Sequence, residues 1–383
     1  MKKLFYLGVI GLILFEIAKV YFIMPMPGAS QHVNSIDLAY FLHNQRWIFR
    51  GLFALLMLAG LAAAFKTNKK WLPVLMLLLA GAITYGTNFE MAADTMFYQP
   101  KTLLLKNVKE NKVDKERLVI GVEENGEAKA YPIQYIGYHH QVQDRLNGKP
   151  IIVTYCTVCR TGRVFEPVVN NKPEFFRLVG MDHFNAMFED GTTHSWWRQA
   201  NGEAIAGPLK GQTLPEVHST QTSLGAWLKL HPNTLIMQPD PEFQMKYDSM
   251  SKYESGKGKS KLTGTDSISW KEKSWVVGIQ VDKQSKAFDW NRLKKERVIN
   301  SEIGGRPTVL VLATDNKSFF AFIRPSNAEI FSIKNDTIFS DKKQYNLLGK
   351  SLSTGPEGHL TPINAYQEFW HSWQTFHPDT ERY

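Results

Sequence analysis

The chain contains 383 residues, of which 43% are hydrophobic and 12% aromatic, and its formal net charge is +9. This composition excludes an intrinsically disordered chain and supplies enough apolar side chains for more than one packed domain. Much of the positive charge lies at 66–70 and 252–273. It therefore indicates attraction to a membrane surface and argues against a nucleic-acid partner.

Three apolar stretches, at about 4–24, 47–65 and 71–89, predict membrane-spanning helices within a transmembrane region at 1–90. The first is the most polar, because Glu16 and Lys19 lie three positions apart, where they are expected to pair or to reach the membrane surface. It also resembles a signal peptide, but residues 27–30 form a poor cleavage site, which favours an uncleaved span. A connector at 91–114 follows the spans.

The charges that flank the spans predict the topology. Lys2, Lys3 and the basic loop 66–70 favour the cytoplasmic side, which places the chain after the third span outside the cytoplasm. Arg46 and Arg50, at the outer end of the second span, oppose this orientation. We therefore expect a protein of the inner cell membrane with an extracytoplasmic, periplasmic domain, where disulfides persist.

The soluble region is a tandem repeat, because it matches itself at a constant offset of 157 residues. Residues 147–153 (NGKPIIV) correspond to 304–310 (GGRPTVL), and 227–234 (WLKLHPNT) resemble 373–380 (WQTFHPDT). The predicted boundaries are 115–239 for the first repeat, 240–273 for a polar linker and 274–383 for the second repeat.

Each repeat begins with β-type runs and ends with a helix. The runs 118–122 and 151–155 predict strands, and Asn147-Gly148 predicts a turn between strands. The closing helices are predicted at 223–230 and 365–376, each ended by a His-Pro dipeptide. The expected fold class is α+β, mainly β, with a duplicated β-rich domain after a three-helix transmembrane region.

The duplication also provides an internal control, because the scaffold residues recur in both repeats and the chemically reactive residues do not. Cys156 corresponds to Ala313, Cys159 to Asn316 and His140 to Arg297. This pattern is expected when one copy keeps a site and the other is structural.

All the thiol chemistry of the chain lies in one CxxC, formed by Cys156 and Cys159. Cys156 ends a strand-like run, and 160–165 predicts a turn into another strand, so the pattern indicates a hairpin knuckle and disfavours a thioredoxin fold. Gly162 is expected to take a positive φ in this turn.

Three interpretations of the CxxC remain open from the residues. The first is a redox-active dithiol whose thiolate is stabilised by Arg160 and Arg163 and shielded by Tyr155. The second is a site for one transition-metal ion, zinc, copper or iron, with both cysteines and a histidine as ligands. The third is an inert disulfide in a structural or interaction domain, which stabilises little because its loop is short.

The metal interpretation requires a histidine near the cysteines. His139 and His140 are adjacent, so on a strand they would point to opposite faces and only one would bind. His140 is favoured because its strand is expected to pair with that of the cysteines through Asn147-Gly148. His194 is the other candidate ligand.

The soluble region resembles the family known as domain of unknown function 3179. The resemblance rests on Tyr131-Pro132, the core VTYCTVC at 153–159, the segment GEAIAGPL at 202–209 and the segment HPNT at 231–234. In relatives a Gly follows the second cysteine, where this chain has Arg160, which adds a positive charge beside the sulfur. Some relatives are similar to selenoproteins with selenocysteine in this motif, which implies redox chemistry more than a structural disulfide.

Taken together, the sequence predicts a membrane-anchored extracytoplasmic thiol–disulfide redox protein without a cofactor, whose partner is a protein or a small thiol. Cys156 is expected to attack because the end of a strand is more exposed than the turn that follows, and Cys159 to resolve the mixed disulfide. Arg160 and His140 are expected to tune the thiolate population. Whether the chain is an enzyme, a thiol–disulfide oxidoreductase, is left open at this point.

Overall fold

The computed structural model of the protein describes residues 1–66, 68–341, 343–352 and 358–383. The α-helices in these ranges are α1 (Lys2–Tyr21), α2 (Ile36–Asn44), α3 (Arg46–Phe65), α4 (Trp71–Tyr85), α5 (Ala93–Met96), α6 (Ile133–His139), α7 (Leu224–Leu230), α8 (Gln244–Ser249), α9 (Ser251–Glu254), α10 (Trp290–Glu296) and α11 (Trp370–Phe376).

The strands are β1 (Leu105–Lys106), β2 (Leu118–Glu124), β3 (Glu127–Pro132), β4 (Gln141–Leu146), β5 (Lys149–Cys156), β6 (Thr161–Phe165), β7 (Val168–Val169), β8 (Lys172–Pro173), β9 (Phe176–Asp182), β10 (Asn185–Asp190), β11 (Trp196–Arg198), β12 (Ala204–Ala206), β13 (Ser219–Ser223), β14 (Leu235–Met237), β15 (Trp275–Val281), β16 (Gln284–Asp289), β17 (Val298–Ile303), β18 (Arg306–Leu312), β19 (Phe319–Ile323), β20 (Phe331–Lys334), β21 (Thr337–Ser340), β22 (Lys343–Tyr345), β23 (Thr361–Ile363), β24 (Ala365–Phe369) and β25 (Glu381–Arg382). The predicted α+β, mainly β fold class is confirmed.

The chain forms two compact units that each draw on separated segments. The anchor unit contains Met1–Tyr98 and Phe176–Thr213, and the repeat unit contains Gln99–Phe175 and Leu214–Tyr383. The strands at 176–206 therefore belong with the N-terminal helices, although they lie inside the first repeat in sequence.

Three helices of the anchor unit are long and apolar enough to cross a membrane, Lys2–Tyr21, Arg46–Phe65 and Trp71–Glu90. They confirm the three predicted apolar helices and are consistent with membrane anchoring. The third ends in a π-helical turn at Gly86–Glu90. Glu16 is fully buried, and its carboxylate pairs with Arg50 at 2.6 Å and with Lys19 at 3.1 Å, so the polar residues of the first helix are satisfied inside the bundle.

A four-stranded sheet with the order β12-β11-β10-β9 completes the anchor unit. It packs on α2 through a core that contains Trp196, Met187 and Ala39. The backbone N–H of Met181 in β9 also donates to the Ile23 carbonyl after α1, at 2.8 Å. The sheet is thereby held against the ends of the first two helices.

The repeat unit contains two copies of the same arrangement. In the first copy β2, β3, α6, β4, β5 and β6 follow one another, and β13, α7 and β14 close it; in the second copy the corresponding elements are β15, β16, α10, β17, β18 and β19, then β24, α11 and β25. In both copies the last strand pairs in parallel with the second, β14 with β3 and β25 with β16.

A glycine on the first strand of each copy lets a tryptophan of the closing helix pack against the sheet. A Cβ on Gly121 would lie 2.3 Å from the Trp227 ring, and a Cβ on Gly278 would lie 2.1 Å from the Trp373 ring. Each indole N–H donates to a threonine seven residues later at 2.9 Å, in the segments HPNT and HPDT that the sequence comparison matched.

Two predictions of secondary structure are wrong. Residues 365–369 form strand β24, and the closing helix begins only at Trp370, because this segment pairs with β15. His139 ends helix α6 and His140 is its cap with φ 64°, so the two histidines do not lie on a strand. Helices α6 and α10, which connect the two hairpins of each copy, were not predicted.

Candidate functional site

The predicted hairpin that leads to the CxxC is present. β4 and β5 pair antiparallel around a turn in which Asn147 and Gly148 both have positive φ, 48° and 79°. Two positive φ values are the requirement of a type I′ turn, which explains the Asn-Gly sequence. The carbonyl of His140 accepts from the N–H of Tyr155 at 2.8 Å, so the backbone of His140 lies beside the residue that precedes Cys156.

The CxxC forms a knuckle between two antiparallel strands, as predicted. Cys156 ends β5 opposite Thr161 at the start of β6, and residues 157–160 make the turn. The positive φ of this turn falls on Arg160, at 60°, and Gly162 is instead a strand residue paired with Tyr155. A Cβ on Gly162 would lie 2.7 Å from Cδ1 of Ile120, so the glycine lets the Ile120 side chain pack against the hairpin.

Both sulfurs are deeply buried, since Cys156 and Cys159 each have 0% relative exposure. The expectation that Cys156 is the more exposed of the two is wrong, because β5 continues through it into the packed interior. Exposure therefore does not distinguish the attacking sulfur from the resolving one. No disulfide joins the two cysteines, which both lie in the described part of the chain.

Groups from outside the first repeat hold the three carbonyls of the turn. The Thr157 carbonyl accepts from the Tyr253 hydroxyl at 3.0 Å, the Val158 carbonyl from the Lys273 ammonium at 3.1 Å, and the Cys159 carbonyl from the Phe369 N–H at 2.8 Å. Tyr253 and Lys273 come from the segment between the repeats, and Phe369 from the second repeat. The linker and the second repeat thus cover the knuckle.

Lys273 is the cation of the site. Its ammonium also donates to the Leu262 carbonyl at 2.7 Å and lies 3.1 Å from His371 Nε2. Burial lowers the pKa of Lys273, and the sulfurs of Cys159 and Cys156 oppose this shift when they carry negative charge. The arrangement places a partly desolvated ammonium where it stabilises a thiolate.

His371 lies beside this cation. Its Nε2 is also 3.2 Å from the Val158 carbonyl, on the same knuckle that Lys273 contacts. The imidazole therefore adjoins both a donor, the Lys273 ammonium, and an acceptor, the Val158 carbonyl.

Two buried tyrosines, Tyr155 and Tyr253, lie beside the knuckle. Burial raises the pKa of Tyr155 to about 12 and raises that of Tyr253 well above its usual value. The two hydroxyls lie 3.4 Å apart, and both phenols remain protonated at neutral pH. Tyr253 is therefore a hydrogen-bond donor to the knuckle.

The structure gives Arg160 a set of backbone and aromatic partners. Its guanidinium donates to the carbonyls of Tyr253 at 3.1 Å and Glu254 at 2.8 Å, and it stacks 3.6 Å from the Trp275 ring. These contacts clamp helix α9 onto the knuckle. A role for Arg160 in tuning the thiolate stays a prediction.

His140 is completely buried beside the hairpin, and burial lowers its pKa to about 4, so its imidazole is neutral at pH 7. Its Nδ1 lies 3.1 Å from the Tyr138 carbonyl. His139 is bound elsewhere, with Nε2 at 2.7 Å from the Tyr247 hydroxyl. Of the adjacent pair, His140 is the one whose backbone adjoins the strand of the cysteines.

The proposed fourth metal ligand, His194, belongs to the anchor unit, whereas the cysteines and His140 belong to the repeat unit. His194 is largely exposed, with Nδ1 at 3.6 Å from Glu189. Across the described ranges, no three His, Cys, Asp or Glu side chains are grouped so that they could hold a metal ion.

Sequence reasoning missed Lys273, His371 and Tyr253. Lys273 was counted in a basic stretch assigned to the membrane surface, and His371 lies in a helix considered only as scaffold. The only available signal was the duplication itself, which indicates that a second copy packs against the first.

The chain was also compared with known proteins. A family model described as "Protein of unknown function (DUF3179)" matches residues 100–380. No curated protein and no solved structure matches the chain.

Proposed function

The chain belongs to the DUF3179 family of proteins of unknown function, and from the geometry of its CxxC site we propose that it is a membrane-anchored, extracytoplasmic thiol–disulfide redox protein. The observation that carries the proposal is the ammonium of Lys273, which is fixed on the CxxC turn by a 3.1 Å hydrogen bond to the Val158 carbonyl. A buried CxxC without a cation would favour inert thiols. A buried cation beside two sulfurs favours a thiolate.

The reaction needs no cofactor, because a dithiol itself supplies two electrons. The Cys156 thiolate attacks one sulfur of a substrate disulfide, and the other substrate sulfur leaves as a thiolate that takes up a proton. The Cys159 thiol then loses its proton and attacks Cys156 in the mixed disulfide, which releases the second substrate thiol. The products are a Cys156–Cys159 disulfide and a substrate reduced to two thiols, and the reverse sequence oxidises a dithiol.

Burial favours a small substrate. Both sulfurs have 0% relative exposure, and the contacts of Tyr253, Lys273 and Phe369 cover the turn. A folded protein would have to displace this cover before its disulfide met the sulfur, whereas a small disulfide requires a narrower opening. We therefore propose a small thiol–disulfide couple as the first partner.

The extracytoplasmic side is supported by the lysines that precede the first span and those in the loop at 66–70. The membrane anchor keeps the repeat unit near the surface of the membrane that carries it. That location supplies the oxidising conditions that a disulfide-forming site requires.

The test is the reduction potential of the pair in the full-length protein in detergent, equilibrated with glutathione buffers and trapped with a maleimide of high mass. A potential above about −300 mV is expected, together with a mixed disulfide trapped in the Cys159→Ser variant and not in the double Cys→Ser variant. A potential below that limit, or thiols that never exchange with glutathione, would falsify the proposal.

A further inference from the structure

A second candidate site lies in the anchor unit, in a cavity of about 500 Å³. Its walls come from the last turn of α1, the end of α2, the first residue of α3, the π-helical turn after α4, helix α5, and strands β9 and β10. The charged residues that line it include Lys19, Arg46, Arg177, Asp94 and Glu189. The volume falls within the range of small-ligand sites.

Positive charge is in excess around this cavity. Arg177 pairs with Glu189 at 2.7 Å and with Asp94 at 3.1 Å. Lys19 pairs with Glu16 at 3.1 Å, and Glu16 is in addition neutralised by Arg50, which lies just behind the cavity wall.

Arg46 is the cation in excess. Its guanidinium donates to the His43 carbonyl at 2.6 Å, and it forms no ion pair with a carboxylate in the described part of the chain. The remaining N–H groups of its fork are available to an anion. The structure thus gives a reason for the arginine whose position opposes the topology rule.

The lowered pKa of His43 also reflects the positive charge around the cavity. Burial, followed by the charges of Arg46, Arg177 and Lys19, lowers the pKa of His43 to about 3. Its imidazole is therefore neutral at pH 7 and lies 3.7 Å from Glu189. The cavity holds a neutral histidine beside cations, which is an arrangement that favours an anionic ligand.

The position of the cavity matches the depth of lipid headgroups. A helix of 20 residues, such as Lys2–Tyr21 or Arg46–Phe65, is about 30 Å long, which is the thickness of the hydrocarbon core. Lys19 is near the end of the first helix and Arg46 begins the second, so both lie where hydrocarbon gives way to phosphate groups. The sheet of the anchor unit forms the side of the cavity away from the helices.

We propose that this cavity binds a phosphate group at the membrane surface, with the guanidinium of Arg46 as its principal contact. A guanidinium fork matches two phosphate oxygens, and the N-terminal end of α3 adds a favourable partial charge. Glu189, Asp94 and the C-terminal ends of α1 and α2 oppose an anion, so a single phosphate fits better than a polyphosphate. The phosphate comes from an anionic phospholipid headgroup or from free phosphate.

The experiment uses the full-length protein in nanodiscs and separates these two sources. Native mass spectrometry counts retained lipid in discs of phosphatidylcholine with phosphatidylglycerol, and calorimetry in pure phosphatidylcholine discs measures the binding of inorganic phosphate. Arg46→Gln is compared with Arg46→Lys and with Arg306→Gln, which removes an exposed arginine of the repeat unit.

Selective retention of phosphatidylglycerol that falls about tenfold in Arg46→Gln, partly recovers in Arg46→Lys and is unchanged in Arg306→Gln supports a lipid headgroup. Phosphate binding with the same pattern and no lipid selectivity supports free phosphate. Wild-type protein that neither prefers the anionic lipid nor binds phosphate overturns the proposal, and this result does not depend on the folding of any variant. Equal losses in Arg46→Gln and Arg306→Gln also overturn it.

Discussion

The two knuckles of the repeat unit, residues 156–161 and 313–318, have the same backbone arrangement, but only the first carries cysteines. Each docks on the residue that precedes the closing helix of the other repeat. The Phe369 N–H donates to the Cys159 carbonyl at 2.8 Å, and the Ser223 N–H donates to the Ser318 hydroxyl at 2.9 Å. Each knuckle therefore packs against the other repeat, so the copy without cysteines helps to build the CxxC site.

The second knuckle is held by polar side chains from both repeats. Asp315 accepts from the hydroxyl of Ser223 at 2.7 Å, and Arg297 donates to the Ala313 carbonyl at 2.5 Å and to Asn316. Ala313 and Asn316 are the counterparts of the two cysteines. Arg297, the counterpart of His140, thus shows that a side chain at this position reaches the knuckle.

The two docks, each formed by a knuckle and the residues outside its repeat that cover it, differ in charge. Both knuckles carry a cation at the same position, Arg160 in the first and Lys317 in the second, and Lys317 pairs with Glu116 at 2.7 Å. The counterpart of Glu116 is Lys273, so the segment that covers the knuckle contributes a cation in the first dock and an anion in the second. A cation in that place favours an anion on the knuckle, and a cysteine thiolate is the group that supplies it.

The largest expected effect concerns the ion pair between Arg163 and Glu368, which the other copy replaces by Phe320 and Thr222. Arg163 and Glu368 are both buried, with relative exposures of 4% and 1%. Nη2 of Arg163 lies 2.6 Å from Oε1 of Glu368, and the guanidinium stacks on the Tyr366 ring. Burial opposes the charge of Arg163, but Tyr366, Glu368 and Glu216 outweigh it and raise the pKa of Arg163.

Arg163→Met leaves a buried carboxylate without its partner and should lower the free energy of unfolding by about 3–5 kcal/mol. The double variant with Arg163→Phe and Glu368→Thr installs the uncharged residues of the other copy and should recover most of this loss, because it leaves no buried charge without a partner. Urea unfolding of the full-length protein in detergent measures both. If the double variant is no more stable than Arg163→Met, the two docks are not interchangeable scaffolds.

The next effect uses the difference between His140 and its counterpart Arg297. In the unfolded chain the histidine gains its proton near neutral pH, whereas an arginine stays charged. Burial lowers the pKa of His140 from about 6.5 to about 4. Between these values the unfolded chain binds the proton and the folded chain does not, so stability is complete above pH 6.5 and is lost as the pH falls toward 4.

This site alone should contribute about 3 kcal/mol to that loss. His140→Asn removes the titration and keeps a residue that tolerates a positive φ. The difference between the urea-unfolding profiles of the wild type and His140→Asn across pH 7 to 4 is the measurement, because other buried histidines contribute equally to both. Parallel profiles would mean that the pKa of His140 is the same in the folded and the unfolded chain.

Much of the fold followed from the sequence because its signals are local or repeated. The spans were visible as apolar stretches, the β4–β5 hairpin as Asn147-Gly148, and the duplication as a constant offset. Helices α6 and α10 were missed because seven residues between two hairpins carry too short a pattern to outweigh the surrounding strand signals. The grouping of β9–β12 with the membrane helices depends on tertiary packing, which no local pattern encodes.

The site itself was predicted only in part for the same reason. The cysteines and the knuckle were identified, and the residues that surround them were not, because Lys273 and His371 are separated from Cys159 by more than a hundred residues of sequence. Arg160 was assigned a charge role from its neighbour in sequence. Its φ of 60° instead directs its contacts toward Tyr253, Glu254 and Trp275.

The smallest effect tests this charge difference between the two docks. Lys273→Gln removes the ammonium from the CxxC dock and keeps a hydrogen-bond donor for the Val158 carbonyl, so the turn stays closed while the thiolate loses the positive charge of Lys273. The pKa of the reactive thiol should rise by about one unit, since a neighbouring opposite charge lowers a pKa by one unit or more. The pH dependence of alkylation in a Cys159→Ser background measures this pKa.

Lys317→Gln is the matched control, because it removes the cation of the other dock and should leave the alkylation profile where it was. A profile that shifts equally in both variants would show that the thiol responds to the total charge of the repeat unit, and one that shifts in neither would make Lys273 a purely structural clamp on the knuckle.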